Sequence, residues 1–321
     1  MGRFGDVKRF AALFLSLALM LSAPALASSG EPEDEALRSA GEAALTACVD
    51  AAMTDVETLT ALHDWLALHC DYGATLRGGT AYGALVEGRA NCVGYAAGLA
   101  YLASLAGLDG KATYSAEMDH AWILATLDGS RYFCDCTWDD GKNAKLGLIR
   151  HTYWLFDGQN AWQTGHYGWD SAEAVPGGSL EDAPWAEAVS RVIFRDGFAY
   201  YIDGQFRLWR CDRATWQTEL LCALEDRWPD DDPADGKAPE IYSGLVLMGS
   251  TLFFNTPYAL CAVGIEGGEP RVLHAPDTSE RLLYGFGVRD GHLCYSLAEG
   301  PSDLRYEIVD TGLSARRAWG Y

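Results

Sequence analysis

An α+β domain followed by an all-β repeat domain is the architecture this sequence predicts. Three observations carry that expectation. Up to about residue 175, strongly helical runs alternate with two clear strands. Past Pro176 helical periodicity nearly vanishes. The same second half contains three similar β-rich units at a spacing of roughly 45 residues, the range of a propeller blade or a β-meander repeat. A chain of 321 residues is long enough for two domains of ordinary size.

The elements follow in order. Arg3, Lys8 and Arg9 make a basic start, the charge-free run Phe10 to Ala27 an apolar middle, and Ala25-Leu26-Ala27 a small-x-small end. That is the pattern of a cleaved signal peptide over 1–27, and it predicts a secreted chain or one on the exterior of the cell envelope. No later stretch of about 20 apolar residues offers a membrane span. Residues 35–52 read as an Ala-rich helix. A second helix opens on Thr54 with Glu57 three positions on, a capping box, and Val56, Leu59, Leu62 and Leu66 form its apolar stripe. The glycine-rich "GATLRGGT" is a loop. A third helix is expected from Cys92 to Ala106, stopped by Gly107. Two strands, "HAWILATL" and "RYFCDCTW", meet at Asp128-Gly129, a two-residue hairpin signal. Residues 176–187 read as a linker. Residues 188–321 hold the three β-units, with the acidic "EDRWPDDDPADGKAPE" as a solvated loop between the first two.

Composition narrows the partners. With 45 Asp+Glu against 24 Lys+Arg the formal net charge is −21. Nucleic acid and anionic membrane surfaces would be repelled. The Asp spacing of the acidic loop does not fit a calcium loop. Phosphate loops, dinucleotide fingerprints and His-x-x-x-His metal patterns do not occur, so no cofactor and no metal are expected. The nine cysteines are an odd number, which leaves at least one thiol free or paired between molecules in an exported chain.

Chemistry concentrates on Cys92, His120 and Asp135. Cys92 would open the third helix, where unpaired N–H groups and the positive end of the helix dipole favour a thiolate and could receive an oxyanion. A lone helical cysteine is more often a small packed residue. In the hairpin, setting Leu127 opposite Ser130 pairs Ile123 with Cys134, Trp122 with Asp135 and His120 with Thr137. His120, Trp122, Phe133, Asp135 and Thr137 then share one face, with Asp135 diagonal to His120. An imidazole between a thiol and a carboxylate is what a nucleophilic cysteine needs. Cys134 and Cys136 fall on the opposite face, which disfavours both a zinc site and a bridge between them. Trp122 and Trp138 either wall the cleft or pack. His166 and Trp169 in "GHYGWD" could line the same cleft, with a surface or core role as the expectation, and Cys211 with Cys222 could form a cross-strand disulfide.

The runs "GALVEGRANCVGYAAGLAYLASLAGL", "DHAW" and "FCDCTWDD" together resemble the transglutaminase-like core of exported bacterial proteins, a branch of the papain-like cysteine enzymes. The resemblance covers roughly 55–170 and implies a papain-like fold for a domain spanning 28–175. It also implies Cys92 as nucleophile, His120 as general base and acid, and Asp135 as orienting carboxylate. Position 136 departs from the family, with Cys where Pro is common. Acyl transfer at an amide through a thioester follows, with water or an amine as acceptor. Hydrolysis of a protein or peptide, including cell-wall peptide, is the expected reaction. Protein cross-linking is the alternative, as is an endopeptidase of another papain-like branch. A third reading is a silent module that uses Tyr200, Tyr201, Phe206, Trp209 and Trp216 of the β-units to grip peptide or glycan; aromatic residues also simply favour strands.

Overall fold

The computed structural model describes residues 32–140, 146–158, 161, 163–170, 183–186, 188–229, 240–303, 305, 307–315 and 318–319. The expected leader lies outside them, as do 176–182 and 187 of the expected linker and 230–239 of the acidic loop. Within the described residues, helices cluster at the start and antiparallel sheets fill the rest. Helix α1 spans Pro32–Cys48, α2 Asp55–His69, α3 Ala81–Leu85, α4 Cys92–Leu105 and α5 Cys136–Asp139. Between them run a short parallel pair, β1 (Asp71–Tyr72) and β2 (Arg89–Ala90), and an antiparallel sheet of β3 (Asp109–Ser115), β4 (His120–Leu127) and β5 (Ser130–Cys134).

The capping box of α2 forms: Glu57 N–H donates to the Thr54 hydroxyl, and Thr54 N–H donates to the Glu57 carboxylate at 2.8 Å. Leu59, Leu62 and Leu66 are fully buried and meet Leu99 and Leu102 of α4 in one apolar core. Among the described residues no helix is long and apolar enough to cross a membrane.

The β4–β5 hairpin has the expected register, Leu127 opposite Ser130 and Ile123 opposite Cys134. Asp128 and Gly129 both take positive φ, as a two-residue turn between twisted strands requires. Ile123, Ala125 and Cys134 enter the helical core, while Trp122, Leu124 and Phe133 join a separate cluster with Phe156 and Ala161. One expectation fails. The strand stops at Cys134, so Asp135 and Thr137 do not stand opposite Trp122 and His120. Asp135 instead caps α5, its carboxylate accepting from Thr137 N–H at 2.9 Å and Trp138 N–H at 3.2 Å. An aspartate's capacity to cap outweighs the β-propensity of the residues around it.

Each of the three β-units forms one antiparallel sheet. The first holds β6 (Ile193–Arg195), β7 (Phe198–Ile202), β8 (Arg207–Asp212) and β9 (Thr218–Ala223). The second holds β10 (Leu245–Met248), β11 (Thr251–Asn255), β12 (Leu260–Gly264) and β13 (Arg271–His274). The third holds β14 (Leu282–Arg289), β15 (His292–Ala298) and β16 (Glu307–Ser314). A last strand, β17 (Ala318–Trp319), pairs with β10 and extends the second sheet. No closed barrel or propeller forms among the described residues. Tyr200, Tyr201 and Phe206 are core residues, whereas Trp216 is exposed. Trp228, at the start of the acidic segment, is buried and donates its indole N–H to the Leu283 carbonyl at 2.6 Å. The expected Cys211–Cys222 bridge is absent, because the ladder sets Cys211 opposite Thr218 and Cys222 opposite Leu208. All nine thiols are free.

Buried polar contacts tie the helices to the sheets. Arg213, just past β8, grips Glu57 of α2 through both carboxylate oxygens, each side chain under a tenth exposed. Asp64 accepts from Val192 N–H at 2.7 Å. Leu146 N–H donates to the Ser296 hydroxyl of β15 at 2.9 Å, and Gly147 lies so near β14 that a Cβ there would collide with the Phe286 carbonyl. Gly147 also has positive φ, so glycine suits the position twice over.

Candidate active site

Cys92 is the first residue of α4. Asn91 caps the helix by accepting from Gly94 N–H at 3.1 Å, and Asn91 N–H donates to the Gly78 carbonyl at 2.9 Å. The helix start thereby rests on the glycine-rich loop, and a Cβ at Gly94 would strike the Gly78 carbonyl. The Cys92 sulfur lies 4.0 Å from the Asp119 carbonyl and is mostly buried. Its hydrogen bond with His120 pulls the thiol pKa below 9.0. Burial opposes this, and the N–H groups of Ala121 and Val93 reinforce it. Every other thiol is shifted upward, chiefly by burial: Cys48 and Cys70 to about 12, Cys211, Cys222 and Cys261 to about 11, Cys294 less, and Cys134 and Cys136 well above their ordinary value. Among the nine, Cys92 alone is shifted towards the thiolate.

His120, the first residue of β4, places Nε2 2.6 Å from Asp135 Oδ2. With Nε2 so engaged, the other ring nitrogen is left for Cys92. Burial works to lower the His120 pKa, but Asp135 and Cys92 outweigh it and lift the group to about 9. Asp135 is fully buried and would be raised by that burial; its bonds to His120 and then His166 hold it below the usual carboxylate range. The structure therefore brings the three sequence-derived candidates together, although Asp135 arrives from a helix cap instead of a strand.

His166, expected in a surface or core role, instead joins the site as a second partner of Asp135. It is fully buried, with Nε2 3.0 Å from Asp135 Oδ2 and Nδ1 3.0 Å from the Thr164 hydroxyl. Asp135 thus takes four hydrogen bonds, two on each oxygen. Around these rings the aromatic residues close. Trp138 stacks on His120 at 4.7 Å between centroids, and Trp122, Trp138 and Phe156 enclose His166. Trp122 and Trp138 wall the imidazoles, and Trp169 packs edge-on against Phe133.

A second buried network lies behind α5. His63 sets Nδ1 3.0 Å from Asp64 Oδ1 and Nε2 3.2 Å from Asp139 Oδ2. His151 sets Nε2 2.8 Å from Asp64 Oδ1 and Nδ1 3.0 Å from the Ala188 carbonyl. With a carboxylate on each side, His63 is held protonated: burial opposes this, yet the two aspartates raise it to about 9. Asp139 also accepts from Tyr153 N–H at 2.9 Å, and Asp135 N–H donates to the Tyr153 carbonyl at 2.9 Å. This network therefore fixes the turn that carries Asp135. Two groups have the side chains to hold a metal ion, His63 with Asp64 and His151, and His120 with Asp135 and His166. Hydrogen bonds among their own members already engage those atoms.

No family model matches this chain, and no curated protein matches it. Among solved structures, a crystal structure of a TGase is similar over 40% of this chain and 36% of its own length, at 16% identity and a TM-score of 0.28. The computationally designed Ika4 protein is similar over 59% of this chain and 84% of its own, at 11% identity and a TM-score of 0.24. PorZ of Porphyromonas gingivalis, a bacterial surface component of the type-IX secretion system, is similar over 71% of this chain and 23% of its own, at 12% identity and a TM-score of 0.25. This chain thus spans about a third of the TGase structure, and similarities at these scores carry no argument about fold or function.

Proposed function

We propose that the chain is an exported, cysteine-dependent acyl-transfer enzyme of transglutaminase-like type that hydrolyses an amide bond in a protein or peptide. The observation that carries this reading is the Cys92 thiol, the one shifted towards the thiolate, at a helix start beside an imidazole held by a buried carboxylate. His120 takes the thiol proton and the sulfur attacks the amide carbon. The resulting oxyanion is received by N–H groups at the start of α4. His120 then gives its proton to the leaving amine as the C–N bond breaks, leaving a thioester on Cys92. A water molecule, deprotonated by His120, attacks that thioester. The S–C bond breaks, a carboxylic acid departs, and the sulfur recovers its proton from His120. Asp135 stays ionised throughout and steadies the imidazolium.

Two assays on one panel of glutamine- and peptide-amide donors test the reading. Release of ammonia or amine with formation of a carboxylate, lost in Cys92→Ala, is the expected result. Incorporation of a fluorescent primary amine in place of hydrolysis would assign the cross-linking reaction. Activity surviving Cys92→Ala would overturn the mechanism.

A further inference from the structure

Exposed side chains gather beside Cys92, outside the buried hydrogen-bonded part of the site. Tyr72 of β1 is 56% exposed, Tyr114 of β3 50%, and Val93, the second residue of α4, 39%. Apolar side chains scattered singly over a surface are ordinary, but a group of them at one nucleophile marks a contact surface. Tyr114 stands opposite Ala121 in the β3–β4 ladder, so it shares the sheet face that α4 packs against. Its phenol pKa is raised first by a bond to Asp119, with a contribution from Cys92; that of Tyr72 is raised by partial burial, then by Cys92 and Asp119. Both rings therefore lie within electrostatic reach of the sulfur.

The charge of this patch is negative. The Tyr114 hydroxyl donates to Asp119 Oδ1 at 2.6 Å, and Oδ2 takes no hydrogen bond or ion pair among the described residues. Asp119 is exposed, and its own carbonyl is the one 4.0 Å from the Cys92 sulfur. Its φ of 49° lies in the left-handed region, which aspartate adopts more readily than most residues. The turn that carries it is well held. Met118 N–H donates to the Ser115 hydroxyl at 3.3 Å, and a Cβ at Gly168 would meet both Ser115 and Glu117. Exposed Glu117 adds a second negative charge to the same turn. Arg89 of β2 stands opposite Asp71 in the β1–β2 pair, and Lys111 alternates onto the sheet face away from Tyr114. Neither pairs with Asp119.

A fixed carboxylate with one open oxygen, beside two exposed tyrosine rings, suits a cation on a flexible stem. The carboxylate takes the charge, the ring faces attract it as well, and the ring bodies cover the methylene groups behind it. An anionic side chain in the same place would be repelled. We infer that the patch of Tyr72, Tyr114 and Asp119 is a specificity subsite, which selects peptide segments carrying an arginine or lysine side chain next to the amide presented to Cys92. The inference rests on the acyl-transfer reading and adds a substrate class to it.

The test uses affinity labels on the full chain and needs no turnover. Bromoacetyl-argininamide, its uncharged isostere bromoacetyl-citrullinamide and the anionic bromoacetyl-glutamic acid α-amide are reacted with the protein at neutral pH. Modification of Cys92 is followed by peptide mass spectrometry, and each rate is divided by that with 2-mercaptoethanol. The arginine label should react about fivefold faster than the citrulline label, the size of one exposed charge pair, and the glutamate label slowest of all. Asp119→Asn keeps an acceptor for the Tyr114 hydroxyl and tolerates the positive φ; it should bring the arginine-to-citrulline ratio close to one. Asp109→Asn removes the same charge at the far end of β3 and should leave the ratio unchanged, which separates the subsite from the net charge of −21. Equal rates for the arginine and citrulline labels, or an equal fall of the ratio in both aspartate variants, would overturn the inference while leaving the reactivity of Cys92 in place. Failure of all the labels to modify Cys92 ahead of the other thiols would overturn the acyl-transfer reading and the subsite with it.

Discussion

Alkylation selectivity follows directly from the way the fold treats its nine thiols. Cys92 lies below 9.0, whereas Cys211, Cys222 and Cys261 stand at about 11 and Cys48 and Cys70 at about 12. Measured from 9.0 as an upper bound for Cys92, the gaps exceed two and three units, so at pH 7.5 Cys92 is at least about 100-fold more ionised than the first group and at least about 1,000-fold more than the second. A thiolate of higher pKa is more nucleophilic, with a Brønsted coefficient of about 0.5, which returns about half of each gap on the logarithmic scale. The net preference is at least about 10-fold over the first group and at least about 30-fold over the second, before steric shielding is counted. Iodoacetamide should therefore label Cys92 first in folded protein, followed by peptide mapping with mass spectrometry. His120→Ala removes the main stabiliser of the thiolate and should slow that labelling at least about tenfold while circular dichroism stays unchanged. Labelling of another cysteine at the same rate, or an unchanged Cys92 rate in the His120 variant, would refute the reasoning.

Three further outcomes are expected. His166→Phe should fill the aromatic cage but deprive a buried carboxylate of one donor, lowering stability in urea titration by about 1.5–3 kcal/mol. His63 has a folded pKa of about 9, above its ordinary 6.5, so its contribution is fully present below pH 6.5 and lost as pH rises through 9, about 3 kcal/mol in all. His120 follows the same course, so urea midpoints should fall between pH 6 and 9.5, and His63→Gln should remove about half of that fall. Asp140 is raised by burial from 3.8 to about 7, so its ionisation costs stability progressively as pH rises from 3.8 and fully above 7. Asp140→Asn, still able to accept from the Tyr95 hydroxyl, should then stabilise the chain at pH 8 by up to about 4 kcal/mol and have little effect at pH 4.

The legible features were those written in local chemistry. The Thr54–Glu57 box, the Asp128-Gly129 turn and the three β-units each depend on residues close in sequence, and each appears in the fold. Cys92 was legible because a helix start is a local signal, and His120 because hairpin register follows from its turn. Asp135 was found as a residue but given the wrong backbone, since capping competes with strand extension over a single position. Strand β3 left no trace in the pattern: only Thr113 and Ser115 of its seven residues are buried, so it carries no alternating apolar face. The bond of His166 to Asp135 was not legible, because the two lie 31 residues apart and the neighbours of His166 have no motif. The same holds for His63 with Asp139 and for the burial of Arg191, which only the packing of helices on sheets creates.

Capture of the acyl intermediate tests the central claim most directly. The chain is mixed with p-nitrophenyl acetate at neutral pH, quenched in acid after one turnover, and mapped by peptide mass spectrometry. A single acetyl group on Cys92, removed by neutral hydroxylamine and lost when His120 is replaced by alanine, is the predicted result. An acetyl group on another residue, or none on Cys92 while the ester is still consumed enzymatically, would contradict the assignment of Cys92 as the nucleophile.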